Sequence, residues 1–175
     1  MLNADTALNL PDFRSSERTF QLLTQVAGRA GRAEKAGQVI IQSYNPNHYA
    51  IAFAKNQDYE GFYAYEMRVR RQLAYPPYYF TVGITLSHKI EEAVIKKSYE
   101  VLNILRSGLS DKVQILGPTP KPIARTHNLY HYQLMIKYRF EDHLPDVLNQ
   151  ILDWTQQKDN KDLRLSIDHE PQSFM

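Results

Sequence analysis

Apolar and polar residues follow two rhythms along this chain, and each rhythm predicts a different kind of element. From Ser15 to Arg32, apolar residues recur every three or four positions, as on one face of an amphipathic helix. Residues 38–44 are β-branched at their centre and predict a short strand. Helical spacing returns at about residues 47–56 and 58–73. The apolar stripe predicted for the last of these helices consists of Phe62, Tyr65, Val69 and Leu73.

A stiff Pro76-Pro77 pair separates this part from a more regular pattern. Residues 117–122 contain three prolines and are predicted to form an extended loop. The order β-α-β-β-α-β predicts an α+β sandwich, with two helices on one face of a four-stranded, mainly antiparallel sheet. The predicted elements are strand 78–87, helix 91–107, strand 113–116, strand 129–138, helix 144–157 and strand 163–168. The core positions predicted for the first helix are Val94, Tyr99 or Ser98, Val101, Leu102 and Leu105.

Composition limits the classes of protein to which the chain can belong. It has 175 residues with 43% apolar content, which is enough for a folded core. No apolar run approaches the roughly 18 residues of a membrane span. The absence of cysteine excludes disulfides and thiolate zinc sites. The N-terminus lacks the basic start and apolar stretch of a signal peptide, so we expect a cytoplasmic protein with no membrane partner.

The end of the first long helix carries the most specific chemistry in the chain. Arg18, Gln21, Gln25, Arg29 and Arg32 share one face of the predicted helix. A glycine precedes each of the last two arginines, although glycine costs about 1 kcal/mol relative to alanine inside a helix. Such glycines allow a ligand to approach the backbone beside planar guanidinium groups, which suit phosphate oxygens. The alternative is an ordinary, solvated helix end.

Positive charge is concentrated in two places, although the net charge of the chain is only +2. No acidic residue lies between Asp111 and Glu141, and that stretch is therefore basic. Patches of this kind either contact phosphates or form solvated faces. The basic residues of this stretch are Lys112, Lys121, Arg125, Lys137 and Arg139, and a second cluster consists of Arg68, Arg70 and Arg71.

Tyrosine and histidine patterns suggest two further sites. Tyr130, Tyr132 and Tyr138 alternate on a predicted strand and therefore share one face, where bases could stack if that face is open. The alternative is that they are half-buried sheet residues. His127 and His131 are four residues apart, but they span a loop and a strand and not a helix, so no metal site is expected.

Several short motifs, in consistent order along the chain, resemble one family of enzymes. The stretch from Gln25 to Arg32 has the form Gln-x-x-Gly-Arg-x-x-Arg and resembles the final motif of superfamily-2 helicases. The sequence around it is similar to the primosomal replication-restart helicases, also called the primosomal protein N′ or PriA family. The other motifs that carry this resemblance are DTAL at 5–8, PDFR at 11–14, ER at 17–18, LAYPPY at 73–78 and GPTPKP at 117–122.

The resemblance implies three segments. Residues 1–44 correspond to the C-terminal end of the second, RecA-like helicase lobe. Residues 45–77 correspond to connecting helices and a Pro-Pro linker. Residues 78–175 correspond to a C-terminal accessory α/β domain similar to ribosomal protein S10.

The resemblance also implies roles for the residues of the final motif. In the family, this motif faces the nucleotide that the first lobe holds. Arg29 and Arg32 would then be catalytic arginine fingers that stabilise charge on the γ-phosphate. Gln25, Gly28 and Gly31 would bind the nucleotide.

The other half of such a nucleotide site is missing from the sequence. There is no Gly-x-x-x-x-Gly-Lys-Ser/Thr loop, no Asp-Glu-x-His magnesium motif and no counterpart of the family's zinc module. The resemblance implies that the full-length enzyme is a 3′-5′ DNA helicase that uses ATP and magnesium. We therefore expect this chain alone to be inactive as an ATPase and to hold no cofactor.

The partners implied by the resemblance are branched and single-stranded DNA, single-strand-binding protein and other primosome proteins. The residues predicted to contact DNA are Lys121, Arg125 and Arg139. The family tends to carry arginines where this chain has Leu129 and His131, which lowers the local positive charge. The alternative function is a non-catalytic module that binds nucleic acid or protein.

The first segment also carries a prediction about association. Cut from its parent lobe, residues 1–44 are expected to expose Phe20, Leu23, Val26 and the strand at 39–41. Exposed apolar surface of this kind favours contact with another chain. We therefore expect this segment to be disordered or to be stabilised by self-association.

Overall fold

The computed structural model describes residues 2–10, 12–30 and 39–171. The chain divides into two compact units, Met1–Leu73 and Ala74–Met175. Within the described ranges, no helix is both long enough and apolar enough to cross a lipid bilayer. The division into three segments at residues 44 and 77 stays a prediction.

The first unit combines helices with one short parallel strand pair. β1 and β2 pair with Leu2 opposite Ile41. Asp58 caps the last helix, since its carboxylate accepts a hydrogen bond from the backbone N–H of Gly61 at 2.9 Å. The elements described in this unit are β1 (Leu2–Asn3), α1 (Asp5–Leu8), α2 (Ser15–Ala30), β2 (Ile41–Gln42), α3 (Tyr49–Lys55) and α4 (Tyr59–Gln72).

Helix α2 contributes its apolar side to the core of this unit. Phe20 stacks on Phe62 of α4 with their ring centroids 4.2 Å apart. Phe20 is 4% exposed and Leu23 is 1% exposed, so the expected exposure of these two side chains is wrong. The reason is that α3 and α4 bring Ile51 and Phe62 into the same cluster and cover them. Self-association of this segment stays a prediction.

The second unit confirms the predicted α+β sandwich. Its four-stranded sheet has the order β4-β5-β3-β6, and every neighbouring pair is antiparallel. The element order is β-α-β-β-α-β, as the sequence predicts, and the resemblance to ribosomal protein S10 stays a prediction. The elements are β3 (Phe80–His88), α5 (Glu91–Gly108), β4 (Gln114–Thr126), β5 (Leu129–Tyr138), α6 (Leu144–Thr155) and β6 (Arg164–His169).

The core of this unit lies between the sheet and the two helices. Ile84 and Ile136 from the strands and Leu105 and Ile151 from the helices are fully buried in it. Because side chains alternate along a strand, the intervening residues point to the opposite side of the sheet, which we call the far face. The far-face residues of β3 and β5 are Thr81, Gly83, Thr85, Ser87, His131, Gln133, Met135 and Lys137.

Helix α5 resolves the choice between two neighbouring residues. Ser98 faces the core, where its hydroxyl donates a hydrogen bond to the Val94 carbonyl at 2.7 Å. Tyr99 is 53% exposed. A buried hydroxyl is tolerated here because the preceding helical turn supplies its acceptor.

The proline-rich segment at residues 117–122 differs from its prediction as a loop, since it lies within the long strand β4. The pairing of β4 with β5 changes register between Leu116 and Thr119 and again between Pro120 and Arg125. The prolines therefore lie in irregular parts of an edge strand, where proline is tolerated. Gly117 has a φ of 93°, and a Cβ there would lie 2.6 Å from the Gln133 carbonyl oxygen. This position therefore requires glycine.

Candidate functional site

The exposed face of α2 near its C-terminal end carries three of the five residues predicted to contact the nucleotide. Gln25, Gly28 and Arg29 are all exposed there. Gly31 and Arg32 lie outside the described residues. The helix axis is fixed by Phe20 and Leu23 on the buried side, which leaves the polar face free to meet a ligand.

Gly28 lies in open space. A Cβ atom at this position would find no other atom within 4 Å, so packing in the described part of the chain does not require a glycine. Arg29 is exposed beside it, and among the described residues no carboxylate lies within ion-pair distance of its guanidinium. Gly28 therefore leaves the backbone accessible, and Arg29 beside it offers a guanidinium group that can bind phosphate oxygens.

A buried ion network holds the start of α2 against α4. Arg70 has a side chain only 10% exposed, and its Nε donates to Glu66 Oε1 at 2.8 Å. Its Nη2 donates to Glu17 Oε2 at 2.7 Å, which joins residues 53 positions apart. The guanidinium carbon also lies 5.1 Å from the centroid of the Phe13 ring. These contacts fix the helix that carries Arg29.

This network overturns the apolar stripe predicted for α4. Tyr65 is 40% exposed and Leu73 is 55% exposed. Glu66 and Arg70 are buried together with Phe62, at spacings of four residues. Two mutually neutralising charges occupy the inward face because each satisfies the other's hydrogen-bonding groups.

The three predicted DNA-contacting cations are not gathered into one cluster. Arg125 lies at the hairpin tip, where its guanidinium carbon sits 4.8 Å from the Tyr130 ring centroid and its Nη2 donates to Asn128 Oδ1. Arg139 is exposed just beyond β5, 5.7 Å from the Tyr79 ring centroid. At about 3.3 Å per residue, the nine residue-to-residue steps from Tyr130 to Arg139 span roughly 30 Å.

Lys121 lies between these two ends of the β4–β5 ribbon. It is half-buried and lines a pocket that also includes Thr119 and Gln133. Because Thr119 pairs with Gln133, this cation belongs to the middle of the ribbon. The three cations are therefore spread along the length of the ribbon and are not gathered at one phosphate-sized site.

Lys137 is buried. It belongs to the basic stretch of the sequence but is not among the residues predicted to contact DNA. Only 4% of it is exposed, and its ammonium lies 3.5 Å from the centroid of the Tyr75 ring. Burial lowers the pKa of Lys137, since desolvation disfavours the charged ammonium. The alternation of β5 places it on the far face, and Tyr75 of the LAYPPY motif supplies the aromatic partner.

Of the two alternatives for the tyrosines of β5, the structure supports half-buried sheet residues and not an open stacking surface. Tyr130, Tyr132 and Tyr138 share a face with Leu134 and Ile136 and pack against the core below α5 and α6. The Tyr132 hydroxyl donates to Glu91 Oε1 of α5 at 3.3 Å. Strand alternation predicts that these tyrosines share a face, but the position of the helices decides that this face is covered.

His131 is held between two hydroxyl groups on the far face. Its Nδ1 lies 2.7 Å from Ser87 Oγ, and its Nε2 lies 2.7 Å from Thr126 Oγ1. His127 sits in the adjoining hairpin turn with a φ of 49°, followed by Asn128 with a φ of 62°. Two consecutive positive φ angles are typical of a two-residue type I′ turn, so this His pair belongs to the hairpin.

Comparison with known sequences places these features in a family. A sequence model described as primosomal protein N C-terminal domain matches residues 71–172. A replication restart protein PriA from Bacillus subtilis is 46% identical over 100% of this chain and 22% of its own length. The protein of the same name from Synechocystis is 44% identical over 77% of this chain and 16% of its own length.

A third relative, replication restart protein PriA from Rickettsia conorii, is 33% identical over 99% of this chain and 26% of its own length. The chain therefore spans only 16% to 26% of the length of these curated relatives. Residues 71–172, which the family model matches, include every described element of the second unit.

Proposed function

Since this chain belongs to the primosomal protein N C-terminal domain family, we propose that it is the C-terminal part of an ATP-dependent 3′-5′ DNA helicase. The enzyme would act in replication restart and primosome assembly at stalled forks. The observation that carries the proposal is the end of α2, where the exposed Arg29 follows Gly28 in open space.

In this proposal Arg29 and Arg32 are arginine fingers. They reach the γ-phosphate of ATP and stabilise the charge that develops on it during hydrolysis. Gly28 and Gly31 let the nucleotide approach the backbone, and Gln25 binds it on the same face. The contacts of Arg70 with Glu17 and Glu66 support the role of Arg29 indirectly, because they hold α2 in place.

The nucleotide itself would be held by a part of the enzyme outside this sequence. A phosphate-binding loop and carboxylates for magnesium are needed, and the sequence of this chain has neither motif. ATP and magnesium are therefore cofactors of the full-length enzyme in this proposal. This chain alone would bind neither and would not hydrolyse ATP.

The second unit would contribute contacts to DNA. Lys121, Arg125 and Arg139 are spaced along the β4–β5 ribbon, so they can contact separate phosphates of a branched or single-stranded DNA. Single-strand-binding protein and other primosome proteins complete the proposed set of partners. The proposed location is the cytoplasm, where DNA replication restart takes place in bacteria.

The arginine-finger role can be tested in a chimera in which this chain replaces the matching part of the Bacillus subtilis relative. Arg29→Lys keeps the charge but loses the planar fork of guanidinium donors. We expect DNA-stimulated ATP hydrolysis to fall by about 10³-fold or more, as for other arginine fingers, with little change in nucleotide affinity.

The matched control is Arg68→Lys, an exposed arginine on α4. It should leave ATP hydrolysis by the chimera unchanged. An Arg29→Lys chimera with the ATPase rate of the parent chimera would refute the catalytic role. Fluorescence anisotropy with a forked DNA on the same proteins separates loss of catalysis from loss of DNA binding.

A further inference from the structure

A pocket of about 250 Å³ opens on the far face of the second unit. Gly83 of β3 leaves room for it, because glycine has no side chain where the flanking far-face residues Thr81 and Thr85 have one. β4 changes its register against β5 between Leu116 and Thr119, which interrupts the regular row of side chains beside Gly83. The pocket is therefore a product of two local irregularities in one sheet.

The polar groups that line the pocket come from three different strands. Lys121 of β4 brings an ammonium group, Asp168 of β6 brings a carboxylate and Gln133 of β5 brings an amide. With strands about 4.8 Å apart, β4 and β6 lie roughly 14 Å from each other across the two central strands. Lys121 and Asp168 extend into the pocket from these two strands, and the space between them fits one ring system.

The charge and the volume of the pocket limit its possible occupants. The lining holds one carboxylate, Asp168, and one ammonium, Lys121, so its net charge is zero and it does not favour a phosphate or a terminal carboxylate over a neutral ring. The volume is below the roughly 300–1,000 Å³ of sites for whole drug-sized ligands, so it suits a fragment such as one planar ring. Met135 and Pro171 add apolar surface against which such a ring can pack.

We propose that this pocket binds an unpaired guanine base of single-stranded DNA, an inference that rests on the proposed DNA-contacting function of the second unit. Guanine presents two adjacent donors, N1–H and the 2-amino group, which match the two oxygens of the Asp168 carboxylate. Its O6 can accept one hydrogen bond from the Lys121 ammonium, which has three donors and can therefore also contact a phosphate outside the pocket. Gln133 can donate or accept at the remaining edge. Adenine, cytosine and thymine do not present two adjacent donors on one edge.

The proposal is tested with this chain and two oligonucleotides, an all-thymine 12-mer and the same 12-mer with one central guanine. Fluorescence anisotropy should show about tenfold tighter binding of the guanine-containing strand, the discrimination typical of one good base contact. Asp168→Asn should remove this advantage. Gly83→Ala should reduce this advantage without changing any charge, because the added methyl group takes up space in the pocket. The fold should tolerate the change, since the added Cβ would lie 3.5 Å from the Pro171 ring, an ordinary contact. The control is Asp162→Asn, an exposed carboxylate outside the pocket.

A second measurement separates this inference from the proposed DNA contact. Guanosine, which has no phosphate, should shift the amide resonances of Gly83, Gln133 and Asp168, and inorganic phosphate should not. Equal binding of both 12-mers would overturn the guanine site and leave DNA contact standing. If neither 12-mer binds, the proposed DNA contact is refuted, and the guanosine titration alone tests the guanine site. Resonance shifts confined to the pocket residues would then support the site. No shifts, or equal shifts with inorganic phosphate, would overturn it.

Discussion

Arg70 joins helices α2 and α4 of the first unit through two ion pairs. Its guanidinium joins Glu66 on the same helix to Glu17 at the start of α2, and the buried Glu66 depends on it for charge compensation. Glu66 is 3% exposed, so it cannot turn to water if its partner is removed. Such a pair is costly to break even though its net contribution to stability is small.

We expect Arg70→Ala to destabilise the first unit by about 3–5 kcal/mol, because it leaves the Glu66 carboxylate buried without its partner. The measurement is hydrogen exchange of the α2 and α4 amides, which reports the opening of this unit. Arg68→Ala, at an exposed position of the same helix, should change the free energy by less than about 0.5 kcal/mol. Equal protection in the two variants would contradict the role assigned to Arg70.

The buried Lys137 makes the stability of the second unit depend on pH. Burial lowers its pKa in the folded state, so the unfolded chain binds more protons between the folded and unfolded pKa values. The free energy of unfolding therefore rises with pH through that interval, and below it the cost of burying the ammonium is present in full. Lys137→Met removes this contribution.

Urea unfolding of the parent and the Lys137→Met variant, followed by Trp154 fluorescence from pH 7 to 10.5, tests this directly. The unfolding free energy of the parent should gain on that of the variant as pH rises. The cation–π contact with Tyr75 favours the charged ammonium and therefore offsets part of the effect of burial. Parallel curves for the two proteins would mean that Lys137 titrates alike in the folded and unfolded chain.

Helix pairing in the second unit depends on one small residue. Gly108 ends α5 where it meets α6, and a Cβ there would lie 2.4 Å from Val147 Cγ2. Val147 is itself 4% exposed and short, so it has little freedom to move aside. The close approach of these two helices therefore requires the absence of a side chain at residue 108.

We expect Gly108→Ala to destabilise the second unit by about 1–3 kcal/mol through overpacking, despite the better helix propensity of alanine. Combining it with Val147→Ala should restore part of the loss, and a double-mutant cycle should give a coupling of at least about 0.5 kcal/mol. Trp154 on α6 is a suitable fluorescent reporter. Strictly additive effects would show that the two positions do not meet.

For the whole molecule, the spacing of cations along the β4–β5 ribbon predicts a salt dependence. If Lys121, Arg125 and Arg139 each contact one phosphate of a single strand, the slope of log K against log salt contains about −0.7 per contact. Replacing all three with alanine should therefore reduce the magnitude of the slope by about 2 in anisotropy titrations.

The matched control replaces Lys89, Lys158 and Lys161 with alanine, which removes the same charge from exposed positions away from the ribbon. That variant should keep the slope of the parent. If both triple variants change the slope equally, DNA is attracted by the general charge of the chain and not by the ribbon.

The sequence by itself determined the order of the elements in the second unit, although β4 extends to Thr126 through the segment predicted as a loop. Alternation on β5 and three-to-four spacing on α5 depend on neighbours in the chain, so they can be recognised locally. Helical spacing likewise indicated that Gln25 and Arg29 share one helix face, and the structure places both on the exposed face of α2.

Only the tertiary structure decided which faces are covered and which polar groups are buried. Periodicity shows that Tyr130, Tyr132 and Tyr138 share a face, but the helices that cover this face are distant in sequence. The burial of Arg70 depends on Glu17, 53 residues away, and that of Lys137 on Tyr75. The far-face pocket likewise joins residues of separate strands. These features arise from long-range contacts, which no local pattern in a single sequence encodes.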